Sequence, residues 1–229
     1  LGDVYKRQVL ETAAKYEVSL VVHEPIKDTG LRRTFPNMMS REGAKGQEFN
    51  GFMSSKDNNK PNHTTIIPFT RLLSSPMDYT PVIFNLFDYI YNSPEDRKIN
   101  PNHRIPSTRS KELALYVVIY APVQMAADLP INYEGNPAFQ FILDVPTDWE
   151  ETKVLNGEIG EFITIARKDI NSDSWYIGSI TNEDGRSIEI EMNFLNDNAT
   201  YEATIYKDPT NGGWINNPEQ VDICLLYTS

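Results

Sequence analysis

Apolar residues do not recur at one period along this chain. They follow helical spacing near the start, gather into short unbroken runs in the middle, and alternate with polar residues beyond about Trp149. Val9 to Tyr16 mixes polar and apolar residues at helical spacing, and the run VSLVVH, Val18 to His23, follows it. This pattern predicts a helix and then a buried strand. A second strand is expected near Asn37 to Ser40 and a third within TTIIPFTRLL, Thr64 to Leu73, each ending in a polar or glycine-containing loop. Short buried strands alternating with connecting segments favour an α/β unit. The polar stretches Ser54 to Asn62 and Asn92 to Pro106 read as loops inside it.

Ser107 or Thr108 is placed to cap a helix spanning KELALYVVIYAPVQMAAD, whose nearly continuous apolar surface predicts burial on several sides, with Pro122 bending or interrupting it. Its apolar run from Leu113 to Ala121 is far below the roughly 20 residues needed to cross a bilayer. Later, GEFITIARK, SWYIGSI, RSIEIEMNF and TYEATIYK are β-rich segments separated by polar turns, which predicts a small antiparallel domain. The Asp-Gly step in Asn182 to Gly185 reads as the loop of a hairpin, and this acidic turn lacks the length and spacing of an EF-hand. The expected fold is therefore α/β plus all-β, with an α/β part over residues 9–150 and an antiparallel β-domain over 151–223.

Composition narrows the partners. The 32 acidic against 21 basic residues give a net charge of -11, which repels nucleic acid and anionic lipid surfaces. Cys224 is the single cysteine, so the 229 residues hold neither an internal disulfide nor a cysteine-based zinc site. No signal peptide or hydrophobic span precedes Val9. LGDVYKRQ and the closing CLLYTS resemble translated adapter sequence, so residues 1–8 and 224–229 are set aside from functional reasoning.

The candidate chemistry lies in three glutamates near expected strand ends, Glu24 in VVHEP, then Glu42 and Glu48 in SREGAKGQEFN. In a (β/α) barrel, the C-terminal ends of the strands converge on one face, so these positions become neighbours around a substrate. Two carboxyl groups there suit glycoside hydrolysis, which needs a proton donor and a second carboxylate to activate water or attack the sugar. A hard cation such as calcium takes six to eight oxygen ligands, which loop carboxylates supply in part. On residue type alone, solvated surface glutamates are the commoner outcome. Trp175, Tyr176 and Trp214 offer a different reading, a non-catalytic carbohydrate-binding module, against the plainer role of filling a small core.

The strings HEPIKDTGLRRTFPNMMSREGAKGQEFN and NHTTIIPFTRLLSSPMDYTP resemble glycoside hydrolase family 97, the α-glucosidase and α-galactosidase family of polysaccharide-degrading bacteria. The resemblance runs from about Val18 through the β-rich tail. It implies the C-terminal part of a calcium-dependent (β/α)8 barrel followed by the last β-domain, with the upstream barrel and an N-terminal β-sandwich lying outside the chain. A whole barrel takes about 250 residues, and roughly 140 precede the β-domain here. By the same resemblance Glu48 matches the general acid and Glu42 a calcium ligand. Glu24 matches a residue that touches calcium and helps hold the attacking water in inverting members, and His23 contacts the sugar. The implied catalytic pair is Glu48 with Glu24, and the implied calcium ligands are Glu24, Glu42 and Glu48. Glu24 points to inversion and to an α-glucosidase acting on oligosaccharides; the alternative is a retaining α-galactosidase. The implied location is periplasmic or secreted. Lys27, Arg32 and Arg33 read as ion-pair partners, and Arg71 and Asp78 as substrate or loop-fixing residues. Asp28 departs from an expected proline, and Ser75 and Val82 depart from expected glycines.

Overall fold

The computed structural model describes residues 2–23, 28–52, 59–87 and 105–227. Helix α1 (Gly2–Lys15) opens the chain and buries Leu10. Strand β1 (Leu20–Val22), helix α2 (Leu31–Thr34) and strand β2 (Met38–Arg41) follow. The two strands pair in parallel, with Val22 opposite Arg41. The pairing continues beyond them. Glu42 N–H donates to the Val22 carbonyl at 2.9 Å, and Asp78 N–H donates to the Arg41 carbonyl at 3.1 Å. Arg41 bridges Met77 in parallel, and Met77 N–H donates to the Tyr120 carbonyl at 3.0 Å. Segments 20–23, 38–42, 77–79 and 119–121 thus lie side by side in chain order, as sequential α/β connections require.

The third strand expected within Thr64 to Leu73 is helical instead. After α3 (Phe49–Phe52), the chain forms α4 (His63–Ile66) and two 3₁₀ turns, Ile67–Phe69 and Arg71–Leu73. The hydroxyls of Thr64, Thr65 and Thr70 donate to the carbonyls of Pro61, Asn62 and Ile66, local partners that compete with a strand ladder. Pro68 lacks the N–H a ladder needs and suits the start of a 3₁₀ turn. The strand position passes to Met77–Tyr79.

Helix α5 (Arg109–Val118) starts as expected, with the Thr108 side chain accepting the Lys111 N–H at 3.1 Å. It stops well short of the predicted Asp128. Val117, Val118 and Ile119 are successive β-branched residues, Ile119 is already extended, and Pro122 biases Ala121 away from helix. Two short helices follow, α6 (Pro130–Tyr133) and α7 (Phe139–Asp144).

Strands β3 (Trp149–Glu158), β4 (Phe162–Asp169) and β5 (Trp175–Thr181) form an antiparallel sheet in that order. Ile163, Ile165 and Ile180 of this sheet share a core with Ile67, Met77, Tyr79, Leu115, Val118 and Ile119. Gly178 makes the contact possible, because a Cβ there would lie 2.8 Å from both the Ala114 carbonyl oxygen and Val117 Cβ. Arg167 Nε donates to the Val117 carbonyl at 2.6 Å, satisfying the C-terminal end of α5. Strands β6 (Glu202–Lys207) and β7 (Asp222–Tyr227) form a separate antiparallel ribbon. Its Tyr206, with Val221 just before β7, packs against Val82, Phe84, Leu113, Tyr116 and Tyr133.

The fold is thus mixed α/β with antiparallel β-sheets. One expected strand, RSIEIEMNF, forms no ladder, although Ile188 and Ile190 stay half-buried between exposed Ser187, Glu189 and Glu191. Asn182 to Gly185 is consequently not a hairpin loop. Asp184 N–H and Arg186 Nη1 both donate to Asn182 Oδ1, at 2.9 and 2.7 Å, and Arg186 pairs with Glu161. Residues 2–8 continue α1 and residues 224–227 continue β7, and neither stretch contributes a buried apolar side chain among its described positions. No helix among the described residues is long and apolar enough to cross a membrane.

Candidate active site

Three adjacent parallel segments end on one cluster. His23 follows β1, Glu42 follows β2, and Asp78 lies in the segment bridged to β2. His23 Nε2 and Asp78 Oδ2 are 2.6 Å apart, with Asp78 3% exposed and His23 41% exposed at the side chain. This bond is the main reason the His23 pKa is raised; burial opposes it, and the charges of Asp78, Glu42 and Glu48 add to it. The imidazole is therefore disposed to carry a proton and donate it to a buried carboxylate. Glu48, immediately before α3, completes the group: one ligand atom from each of His23, Glu42 and Glu48 lies within 4.8 Å of the others.

Glu48 has the environment of a proton donor. Burial raises its pKa first, the proximity of the Glu42 carboxyl and the charge of Asp78 add to this, and the charge of His23 opposes it.

The loop between Glu42 and Glu48 has little regular structure and is held by its carbonyls. Arg71 Nε donates to the Glu42 carbonyl at 2.9 Å, His63 Nε2 to the Lys45 carbonyl at 2.8 Å, and Asn59 Nδ2 to the Gly46 carbonyl at 2.8 Å. Gln47 N–H donates to the Tyr79 carbonyl at 2.8 Å. His63 donates as the neutral imidazole, its pKa lowered chiefly by burial. Gly43 holds φ +72, and a Cβ there would lie 2.7 Å from Arg71 Nε, so the loop needs glycine at this point. His63 and Asn59 were not singled out from sequence; the usable signal was a histidine and an asparagine flanking Pro61 just ahead of the threonine-rich turn.

Arg71 is a loop-fixing residue. Besides the Glu42 carbonyl, it donates to the carbonyls of Arg41, Ser75 and Pro76 at 2.9, 2.9 and 3.1 Å. Two of the three departures also have local reasons. Asp28 accepts from Gly30 N–H and pairs with Arg32, while the Ser75 hydroxyl accepts from Arg41 Nε and Arg71 Nη1. Val82, by contrast, has φ +70, a conformation suited to the glycine expected there and rare for a β-branched residue. Arg33 is exposed. Glu24 and Lys27 lie outside the described residues.

The tail aromatics pack against other rings. Trp175 lies 4.7 Å from the Phe194 ring, and Tyr176 contacts Trp149 and Phe141 while its hydroxyl donates to the Asp144 carbonyl. Trp214 is half-buried. For a hard cation, the Glu42 and Glu48 oxygens are suitable ligands, and an ion between them would relieve their repulsion. A histidine nitrogen suits a hard cation less well, and His23 Nε2 is already engaged by Asp78.

Residues 148–225 match the family model described as glycosyl-hydrolase 97 C-terminal, oligomerisation, and residues 3–44 match the one described as glycoside hydrolase 97. The chain is 37% identical over 211 residues to a retaining alpha-galactosidase of Bacteroides thetaiotaomicron, covering 90% of this chain and 30% of that protein. Two solved structures of a glycoside hydrolase family 97 enzyme from Pseudoalteromonas sp. strain K8, a variant in complex with panose and an enzyme in complex with acarbose, are 46% and 47% identical. Each has a TM-score of 0.84 and covers 96% of this chain and 33% of the other. The chain thus spans about a third of the length of these relatives.

Proposed function

Because this chain belongs to glycoside hydrolase family 97, we propose that it is the barrel-end and C-terminal β part of an enzyme that hydrolyses α-glucosidic bonds in oligosaccharides, with Glu48 as the general acid. The observation that carries the reading is the meeting of His23 and Glu42, which follow two paired parallel strands, with Glu48 from the loop after β2. The arc formed by segments 20–23, 38–42, 77–79 and 119–121 is read as part of a (β/α)8 barrel, with 151–223 as the C-terminal β-domain.

In this reading, Glu48 holds its proton under the influence of burial and the Glu42 charge, and delivers it to the departing glycosidic oxygen. His23, fixed by Asp78, orients a sugar hydroxyl. Glu24 helps to position the attacking water. Glu42 and Glu48, with Glu24, are the residues that would hold calcium, which supplies electrostatic stabilisation and orientation when bound. Inversion is favoured by Glu24, and glucoside preference also by the higher identity to the panose- and acarbose-bound structures than to the retaining alpha-galactosidase. The remaining barrel strands and an N-terminal β-sandwich complete the site. The enzyme is proposed to be periplasmic or secreted, and the 229-residue chain alone to be inactive and to bind calcium weakly.

The test is hydrolysis of p-nitrophenyl α-glucoside by an enzyme that contains this chain, with and without Glu48→Gln. Turnover should fall by at least about a hundredfold in the variant while sugar binding persists, and the first product should have the inverted anomeric configuration by NMR. Unchanged turnover would remove Glu48 from the chemistry, a retained anomer would remove the inverting assignment, and hydrolysis by the 229-residue chain alone would overturn its proposed inactivity.

A further inference from the structure

Glu112 is a fully buried carboxylate inside α5, away from the His23, Glu42 and Glu48 cluster. Its Oε2 accepts the Val82 N–H at 2.9 Å and the Ile83 N–H at 3.4 Å. Those amides belong to a turn with two non-glycine residues at positive φ, Thr80 at 57 and Val82 at 70, on either side of Pro81. The Tyr133 hydroxyl donates to the Val82 carbonyl at 2.7 Å from the other side. Such a backbone persists only where its surroundings over-determine it.

The turn directly follows Tyr79, whose carbonyl accepts the Gln47 N–H, and Gly46 packs against that same carbonyl with room for no more than a strained Cβ at 3.2 Å. Gln47 is 2% exposed. Burial raises the Glu112 pKa, and the Ser107 side chain, the Val82 and Ile83 amides and the nearby Gln47 side chain oppose it. Even so, Gln47 Nε2 and Glu112 Oε1 are both buried without a well-formed hydrogen bond. One carboxylate therefore touches both the strained turn and the residue adjoining Glu48.

We propose that Glu112 is a positioning residue for Glu48: it clamps the Thr80 to Ile83 turn so that the Tyr79 carbonyl and the Gln47 amide fix the loop carrying the acid. This rests on the reading of Glu48 as the general acid for its functional meaning, but the geometry it asserts is testable without catalysis. A residue that only filled the core would be replaced well by leucine, since apolar substitutes for buried charges are often neutral or stabilising. A clamp would be replaced well by glutamine, whose carbonyl oxygen still accepts from Val82 and whose NH₂ meets Gln47 once the Gln47 amide is flipped.

Amide hydrogen exchange of the 229-residue chain separates these cases. Glu112→Leu should speed exchange across residues 42–49 and 80–84 by about ten- to a hundredfold while leaving β3, β4 and β5 protected, and Glu112→Gln should stay within about threefold of the parent. Equal acceleration everywhere, no acceleration in 42–49, or Leu tolerated better than Gln would overturn the proposal. Should Glu112→Leu fail to fold, Gln47→Met carries the test: it should loosen 42–49 and spare 80–84, and any other pattern counts against the clamp. Failure of the functional reading appears separately, as turnover unaffected by Glu48→Gln in the enzyme containing this chain.

Discussion

Replacing Arg71 by lysine tests how far the candidate site depends on one guanidinium. Arg71 serves four backbone carbonyls, those of Arg41, Glu42, Ser75 and Pro76, and adds the Ser75 hydroxyl at 3.1 Å. Burial lowers its pKa to about 10, still far above neutral, so it remains charged. A lysine ammonium has three donors at one point and cannot span the fork that reaches both sides of Pro76 and the end of β2. At least two carbonyls would lose their partner, at about 1–3 kcal/mol each, for an expected loss of about 2–6 kcal/mol. Urea denaturation should show the midpoint falling by about 1 M or more, given slopes of about 1–3 kcal/mol/M. The same change releases the Glu42 carbonyl, so on the proposed reading of Glu42 as a calcium ligand, calcium or terbium affinity should drop about ten- to a hundredfold, as when a supporting partner of a metal ligand is removed. Stability within about 0.5 kcal/mol of the parent, together with unchanged cation affinity, would refute the reasoning.

Two further outcomes follow from the packing and the electrostatics. Gly178→Ala places a Cβ 2.8 Å from the Ala114 carbonyl oxygen and Val117 Cβ, so α5 and β5 must separate; thermal unfolding should show a loss of about 1–3 kcal/mol. Protonation of His63 is disfavoured in the folded chain because burial lowers its pKa from 6.5, so the unfolded chain takes up the proton first as pH falls. The associated stability is present above about pH 6.5 and is lost as pH falls toward the lowered value. His63→Gln, which can still donate to the Lys45 carbonyl, should flatten this pH dependence in urea titrations.

Much of the local structure was legible because neighbouring residues dictate it. The unbroken VSLVVH run marks β1, and Thr108 ahead of a run of good helix formers marks the start of α5. Where the reading failed, a non-local demand or a side-chain bond decided. The segment Thr64 to Leu73 has the β-branched composition of a strand, but its threonine hydroxyls close onto carbonyls three and four residues back. The end of α5 lies at Val118 because Tyr120 joins Met77, 43 positions earlier in the chain, a pairing no local window contains. β3 carries few apolar residues in EETK, and its place follows from β4 beside it. Glu42 and Glu48 were visible as candidate carboxylates, and His23 through the family resemblance alone. Glu112, Asn59 and His63 were not, because their role is to hold backbone, and a polar residue that does so looks in sequence like any other.

The departure of Val82 from the expected glycine links the strained turn to the electrostatics of the site. A glycine would adopt φ +70 without side-chain strain, whereas valine there needs external bonds, and Glu112 and Tyr133 provide them on its two peptide groups. Those bonds also fix Tyr79 and, through it, the distance between Glu48 and the charges that raise its pKa. On the proposed reading of Glu48 as the acid, its proton affinity depends on a geometry set by backbone contacts as well as by neighbouring carboxylates. Loosening the turn would let Glu48 move into water and away from Glu42, and both changes lower its pKa toward the ordinary carboxyl range. The site thus couples rigidity to acidity: the contacts that hold the 42–48 loop also keep its last residue beside the groups that raise its pKa.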